Sequence, residues 1–457
     1  MKEWTSFISY DRFMGDVVSD VDSRSAFMRD YDRIIFSSAF RRLQNKTQVF
    51  PLPGNVFVHN RLTHSLEVAS VGRSLGSIVG NRITQKYPSL NPDVADFFRY
   101  DLSGVIASAC LAHDVGNPAF GHSGEKAISN YFKINAGVKT GDRILRDYFD
   151  DKEWADLINF EGNANALRLL TQTFRGKLPG GQRLTYLTLA SIIKYPCDSS
   201  STNKNIPIYK KYGHFQAEQE IFENIMNAFP LKSGNQYLRH PFVYLVEAAD
   251  DICYRIIDME DGHRIGILST AEILESFIDL IQQLEVKSQS LERTHQTLQM
   301  LDNANEKVAY LRAKCINVLV NRAADNFLEN SDQILNGSYP TTLMDTVTQE
   351  CSALREIERI SIEKIYNHPS VIEVEIAGYH VMSEILSWFV TSVLSTNPSP
   401  IEKKVLHLIP DQHANYKSGD HPYHKVMGIL DFVSGMTDGY ATELYRKIKG
   451  IEIPSHK

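Results

Sequence analysis

The run Ala112-His113-Asp114-Val115-Gly116-Asn117-Pro118-Ala119-Phe120-Gly121-His122-Ser123-Gly124-Glu125 stops one helix and starts another. Ahead of it, Leu102, Val105, Ala109 and Ala112 recur at steps of three and four, the spacing of one helix face. Gly116-Asn117-Pro118 ends that pattern, because Gly relaxes the backbone and Pro cannot continue the hydrogen-bond ladder. Beyond it, a new helix opens near Ser123 and runs through Ile128 and Phe132. His113 and Asp114 therefore sit at a helix end. His122 and Glu125, three apart at a helix start, fall on one face. On spacing alone, a helix-capping pair is the plainer reading of the latter.

The same periodicity extends in both directions. Leu62, Leu66 and Ala69, continued by Leu75 and Val79, mark a helix that carries His64. Val243, Val246, Ala249, Cys253 and Ile256 mark another over 241–259, with Pro241 at its first turn. Two long periodic stretches are expected over 270–329, broken near 285–295, followed by helices over 371–395 and 425–448. Strand signals are sparse: Gln48 to Val58 suits a short hairpin around Pro53-Gly54, while 177–183 and 197–205 read as loops. The expected fold class is all-α, with at most a short β-hairpin. No clean linker divides the chain. The best boundary is 330–340, separating a catalytic core over 1–330 from a helical region over 331–457 packed on it.

Bulk properties exclude several classes. A 457-residue chain with 43% hydrophobic and 23% charged residues has the composition of an ordinary soluble protein. The net charge of -7 argues against a dedicated nucleic-acid binder, though not against a local basic pocket. Five dispersed cysteines without a CxxC pair point to reduced, mostly buried thiols. The first twenty residues are charged throughout, unlike a secretory leader, and no apolar run is long enough to span a membrane. The cytoplasm is the expected location.

Three helices thus offer metal-ligand chemistry beside apolar stripes: His64, the His113-Asp114 pair, and Asp250 in Glu247-Ala248-Ala249-Asp250-Asp251. A buried carboxylate is costly unless it is paired or bound to a cation. Two imidazoles with two carboxylates suit a divalent transition ion. Spacing alone leaves open the alternative that these are satisfied core and capping residues.

Several blocks together resemble the deoxyguanosinetriphosphate triphosphohydrolase family of the HD-domain superfamily. They are Asp30-Tyr31-Asp32-Arg33 through Lys46-Thr47-Gln48-Val49-Phe50-Pro51, then Arg61-Leu62-Thr63-His64, the run 112–125, Glu247 through Tyr254, and Asp431 through Asp438. They follow the family's order over nearly the whole chain. Ala119 stands where the family commonly has a second proline, a change that removes no functional group.

The resemblance implies an HD-type core and metal-dependent hydrolysis of deoxynucleoside triphosphates, dGTP among them, to deoxynucleoside and inorganic triphosphate. It makes His64, His113, Asp114 and Asp250 the metal ligands, with Mn²⁺ or Mg²⁺ expected first and Ni²⁺, Zn²⁺ or Fe²⁺ as alternatives. It makes His122 and Glu125 catalytic. Whether His122 activates water or protonates the leaving 5′-oxygen stays open. It places Tyr254 against the sugar as a wall against a 2′-hydroxyl, with Asp258 and Gln48 on the 3′-hydroxyl. Arg61, Asn117, Lys194, Tyr195 and Lys211 become phosphate contacts. Glu161-Gly162-Asn163-Ala164-Asn165 also resembles a family block, without a role. The family further implies a homo-oligomer, tetramer or hexamer, and in some members binding of single-stranded DNA. Two competing readings are an HD phosphohydrolase acting on a monophosphate or phosphodiester, and a nucleotide-binding regulator with a silent site.

Overall fold

The computed structural model describes residues 3–15, 24–51, 58–176, 178–285, 288–413 and 421–452. Helices dominate. The elements that position the site are α1 (Arg61–Lys86), α2 (Leu102–Ala112), α3 (Gly121–Ile134), α4 (Gly162–Thr171), α5 (Val243–Arg264), α6 (Pro369–Leu394), α7 (Pro422–Ser434) and α8 (Asp438–Ile448). Asn60 starts α1 with a capping box, its side chain accepting from Thr63 N–H while the Thr63 hydroxyl accepts from Asn60 N–H. Along α1, Gly72, Gly76 and Gly80 face α2 and the turn before it. A Cβ at Gly72 would strike Cys110, and one at Gly80 the Phe98 backbone. The glycines let the two helices approach closely, with α2 contacts such as Cys110 and Ile106 against them, which brings the start of α1 and the end of α2 together.

The apolar residues form two clusters. The first joins α1, α2 and α5 with segments as distant as Leu343 to Val371. The second joins α3 to α6, α7 and α8. The chain passes from one to the other between Val115 and Ala119, inside the run that separates His113 from His122.

Four details differ from the sequence reading. The helix expected over 425–448 is two, Pro422–Ser434 and Asp438–Ile448, parted at Gly435 and restarted by the Thr437 side-chain cap. The stretch 270–329 forms three helices, Thr270–Leu284, Ser288–Met300 and Ala304–Glu329, with a second break where the Asn303 side chain caps the last helix. The hairpin expected over 48–58 falls largely on 52–57, outside the described residues. Two small antiparallel hairpins appear elsewhere, Lys139–Thr140 with Arg143–Ile144 and Lys232–Ser233 with Gln236–Tyr237. Their two-residue turns are Gly141-Asp142 and Gly234-Asn235, with both glycines at positive φ, the usual chemistry of tight hairpins. Among the described residues, no helix is long and apolar enough to cross a membrane.

His240 shows how the first cluster handles a buried polar group. It is fully buried, its Nε2–H donates to Phe7 O (3.1 Å), and its Nδ1 accepts from Phe242 N–H (3.2 Å). That pattern needs the neutral ring, and burial pushes its pKa down to about 3. The unfolded chain takes up this proton near pH 6.5 while the folded chain does not, so stability falls as pH drops below 6.5. The slope is about 1.4 kcal/mol per pH unit for this group. Unfolding free energies between pH 7 and 5 should therefore fall less steeply in His240→Gln than in the parent. Identical slopes would remove the neutral, buried assignment.

Candidate active site

The first turn of α1, the end of α2 and the middle of α5 converge. Donor atoms of His64, His113 and Asp114 lie within 4.8 Å of one another. Asp250 Oδ1 stands 3.0 Å from His64 Nε2 and 3.5 Å from His113 Nε2. His113 Nδ1–H donates to Cys110 O at 2.6 Å. This bond fixes the tautomer and leaves Nε2 with a free lone pair. That nitrogen is buried and makes no hydrogen bond. A lone-pair nitrogen aimed at carboxylates is the donor set of a divalent metal site, and the residues present fit such an ion. The electrostatics agree. Burial pushes the Asp250 carboxyl up, but His113 and His64 outweigh it and hold it well below the usual range. Burial lowers His113, yet Asp114 and Asp250 raise it to about 9. A cation can take the place of the protons these groups draw in.

Asp114 is itself oriented. Its Oδ2 accepts from Arg61 Nη1–H (2.7 Å) and its Oδ1 from the Asn117 amide. Arg61 and Asn117, expected on phosphate, thus hold Asp114 in place. The Arg61 guanidinium lies so close to Gly121 that a Cβ there would collide with it. Phe120 (φ 60°) and Gly121 (φ 55°) are both left-handed, and this double turn delivers His122 to the head of α3. His122 Nδ1–H donates to Glu125 Oε2 at 2.7 Å, and Glu125 Oε1 accepts from Gly162 N–H at 2.8 Å. Burial raises the Glu125 carboxyl, but the contact with His122 outweighs it and keeps it low. The His122 side chain is 70% exposed.

All expected site residues except Asp258 line one cavity of about 500 Å³. Lys194 pairs with Glu247 (3.2 Å) and Lys211 with Glu161 (2.9 Å). Gln48 Oε1 is buried there without a partner. Tyr254 stacks on Tyr366, with ring centroids 5.5 Å apart and planes 16° from parallel. Asp258 lies behind this pair, and its Oδ2 accepts from the Tyr366 hydroxyl (2.7 Å). Burial raises its pKa to about 8.

The HD domain family matches residues 61–194, and the phosphohydrolase-associated domain family matches 342–447. A deoxyguanosinetriphosphate triphosphohydrolase-like protein of Synechocystis is 37% identical, across 99% of this chain and 100% of its own. One of Pseudomonas aeruginosa is 38% identical with the same coverage. The deoxyguanosinetriphosphate triphosphohydrolase of Yersinia enterocolitica is 30% identical across 93% of this chain and 94% of its own. The chain belongs to the deoxyguanosinetriphosphate triphosphohydrolase family. It is an HD-type phosphohydrolase, a hydrolase by class.

The two family segments meet at the cavity. The HD segment brings the metal-capable cluster and the His122–Glu125 pair. The associated segment brings Tyr366, Val371, Val374 and Glu375, which sequence reasoning did not place there. It also brings Asp438, at the start of α8 and buried. Asp438 Oδ2 accepts from Thr47 N–H (2.8 Å) and the Thr47 hydroxyl, and its Oδ1 accepts from Phe120 N–H (2.9 Å). One carboxylate ties the segment before Gln48 to the turn before His122. Beside it, buried Lys46 donates to Asn117 O (2.5 Å) and Ser434 O (2.8 Å). Burial and nearby Arg42 push its pKa down to about 7. Asp438→Ala is expected to lower kcat about tenfold by releasing both segments. Asp438→Asn, which keeps one acceptor oxygen, should recover part of that loss. Steady-state kinetics on the two variants checks this, and equal losses in both would count against the positioning role.

Proposed function

We propose that this protein hydrolyses deoxynucleoside triphosphates, dGTP among them, at the bond between the 5′-oxygen and the α-phosphorus. One water is consumed, and a deoxynucleoside and inorganic triphosphate are released. The observation that carries this is the opening of the His64–His113–Asp114 cluster and the His122–Glu125 pair into one cavity with Lys194, Tyr195, Lys211 and Tyr254. The names of the relatives support it. His64, His113, Asp114 and Asp250 would hold a divalent cation, manganese or magnesium first. Bound there, such an ion supplies Lewis-acid chemistry, withdrawing charge from phosphate oxygen and acidifying water.

The chain's own groups do the rest. Glu125 fixes the His122 tautomer, so the proton is moved at Nε2, on the exposed side of the ring. Lys194, Lys211 and Arg61 hold phosphate oxygens, Arg61 through its fork and the lysines as point charges. The unpartnered Gln48 Oε1 accepts from the 3′-hydroxyl. Tyr254, stiffened by Tyr366 and through it by Asp258, leaves no room for a 2′-hydroxyl. Incubation with each dNTP and manganese, followed by ion-exchange separation, should yield triphosphate and free deoxynucleoside. Pyrophosphate or orthophosphate would mean another scissile bond and would overturn the reading. Tyr254→Ala should reduce discrimination between GTP and dGTP roughly 10- to 100-fold in kcat/KM. GTP turnover as poor as before would sink the sugar wall.

A further inference from the structure

A second hollow, of about 590 Å³, shares His122, Glu125, Glu161, Lys210 and Lys211 with the catalytic cavity. Beyond that rim its charged residues are Lys126, Lys133 and Lys204. Its only carboxylates are already engaged: Glu125 with His122 and Gly162 N–H, Glu161 with Lys211 and Asn163. Lys126, Lys133, Lys204 and Lys210 are exposed, and none makes an ion pair among the described residues.

On a chain of net charge -7, a hollow lined by five lysines and continuous with the catalytic cavity is a local positive patch suited to a polyanion. The aromatic rings of the hollow, Phe160 and Tyr212, are buried. The one exposed ring, His122, is too little for a run of stacked bases, which favours a compact inorganic anion over a nucleic acid.

We propose that this hollow is a subsite for inorganic triphosphate, through which the anion cut from the nucleoside leaves. The source of that anion rests on the function proposed above. The binding itself does not.

The test is calorimetric binding of inorganic tripolyphosphate, in EDTA, to the full chain and to a variant combining Lys126→Gln, Lys133→Gln and Lys204→Gln. All three side chains are exposed, so the variant should fold. The expected result is affinity weakened about tenfold, as the loss of three exposed charge contacts implies. A shallower dependence of affinity on salt should accompany it. The KM for dNTP should stay unchanged. Equal affinity in both proteins, or no binding to the parent chain, would overturn the subsite. So would a larger loss for a single-stranded oligonucleotide than for tripolyphosphate. Lysine-dependent tripolyphosphate binding in a protein that hydrolyses no dNTP would instead overturn the proposed reaction and leave the subsite standing.

Discussion

His113→Ala is expected to lower dNTP turnover by at least about 10³-fold, equivalent to roughly 4 kcal/mol of transition-state stabilisation. The size follows from the place of the side chain. Its Nε2 is the one donor of the cluster that is buried and unpartnered, held in the right tautomer by Cys110 O. Alanine deletes a ligand and also strands Asp114 and Asp250, which lose a neighbour that holds them ionised. Bound manganese, measured by elemental analysis after gel filtration, should fall together with activity. A variant that keeps its manganese and turns over dNTP near the parent rate would refute the metal assignment. A folded but inactive, metal-poor variant would bear it out.

The second large effect concerns stability. Arg168→Met is expected to cost about 3–5 kcal/mol of unfolding free energy. On α4, Arg168 Nε–H and Nη2–H donate to both oxygens of Asp431 on α7 (2.6 and 2.8 Å), and Nη1–H donates to Glu218. All three residues are buried. Even with this partner, burial pushes Glu218 up to about 7. Without the guanidinium, two carboxylates would face each other in the interior, helped among the described residues by Gln172, whose amide donates to Asp431 (2.8 Å). Urea unfolding of the single variant, beside a triple variant that also makes Asp431 and Glu218 methionine, separates stranded charge from lost packing. The triple variant should recover much of the loss, since a well-packed apolar trio replaces a buried ionic one at little cost. A loss below about 1 kcal/mol in the single variant would show that the network holds nothing.

Apolar spacing put His64 and Asp250 on helices and His113-Asp114 just after one, each beside a core stripe, but it did not encode that they converge; the ligand set came from the family resemblance. Tyr254 follows Asp250 by four residues and stays on the cavity side. Asp258 follows by eight, which on an α-helix is a rotation of about 80° from Asp250. That drift carries it behind the tyrosine, so it meets the Tyr366 hydroxyl in place of open cavity. Tyr366 and Glu375 carry no local mark of the site, and Asp438, though it closes a block that resembles the family, carries no mark of its role. Their roles arise from contacts across hundreds of residues, which one-dimensional periodicity does not encode. The two hairpins did carry a local mark, Gly-Asp and Gly-Asn between short polar runs, but two-residue strands are too short to show alternation. The break before Ala304 was masked by apolar periodicity that continues on both sides of Asn303.

The Thr47–Asp438 and Lys46–Ser434 bonds join residues 391 and 388 positions apart. A ribosome makes the helices bearing His64, His113 and His122 long before it reaches residue 434. Until then the turn at Phe120 has no acceptor for its N–H, and buried Lys46 lacks one of its two carbonyls. The site can be assembled only after translation has passed residue 438, and the closing contacts have the high sequence separation that makes folding slow. A growing chain therefore carries the parts of a phosphohydrolase site without the clasp that sets them.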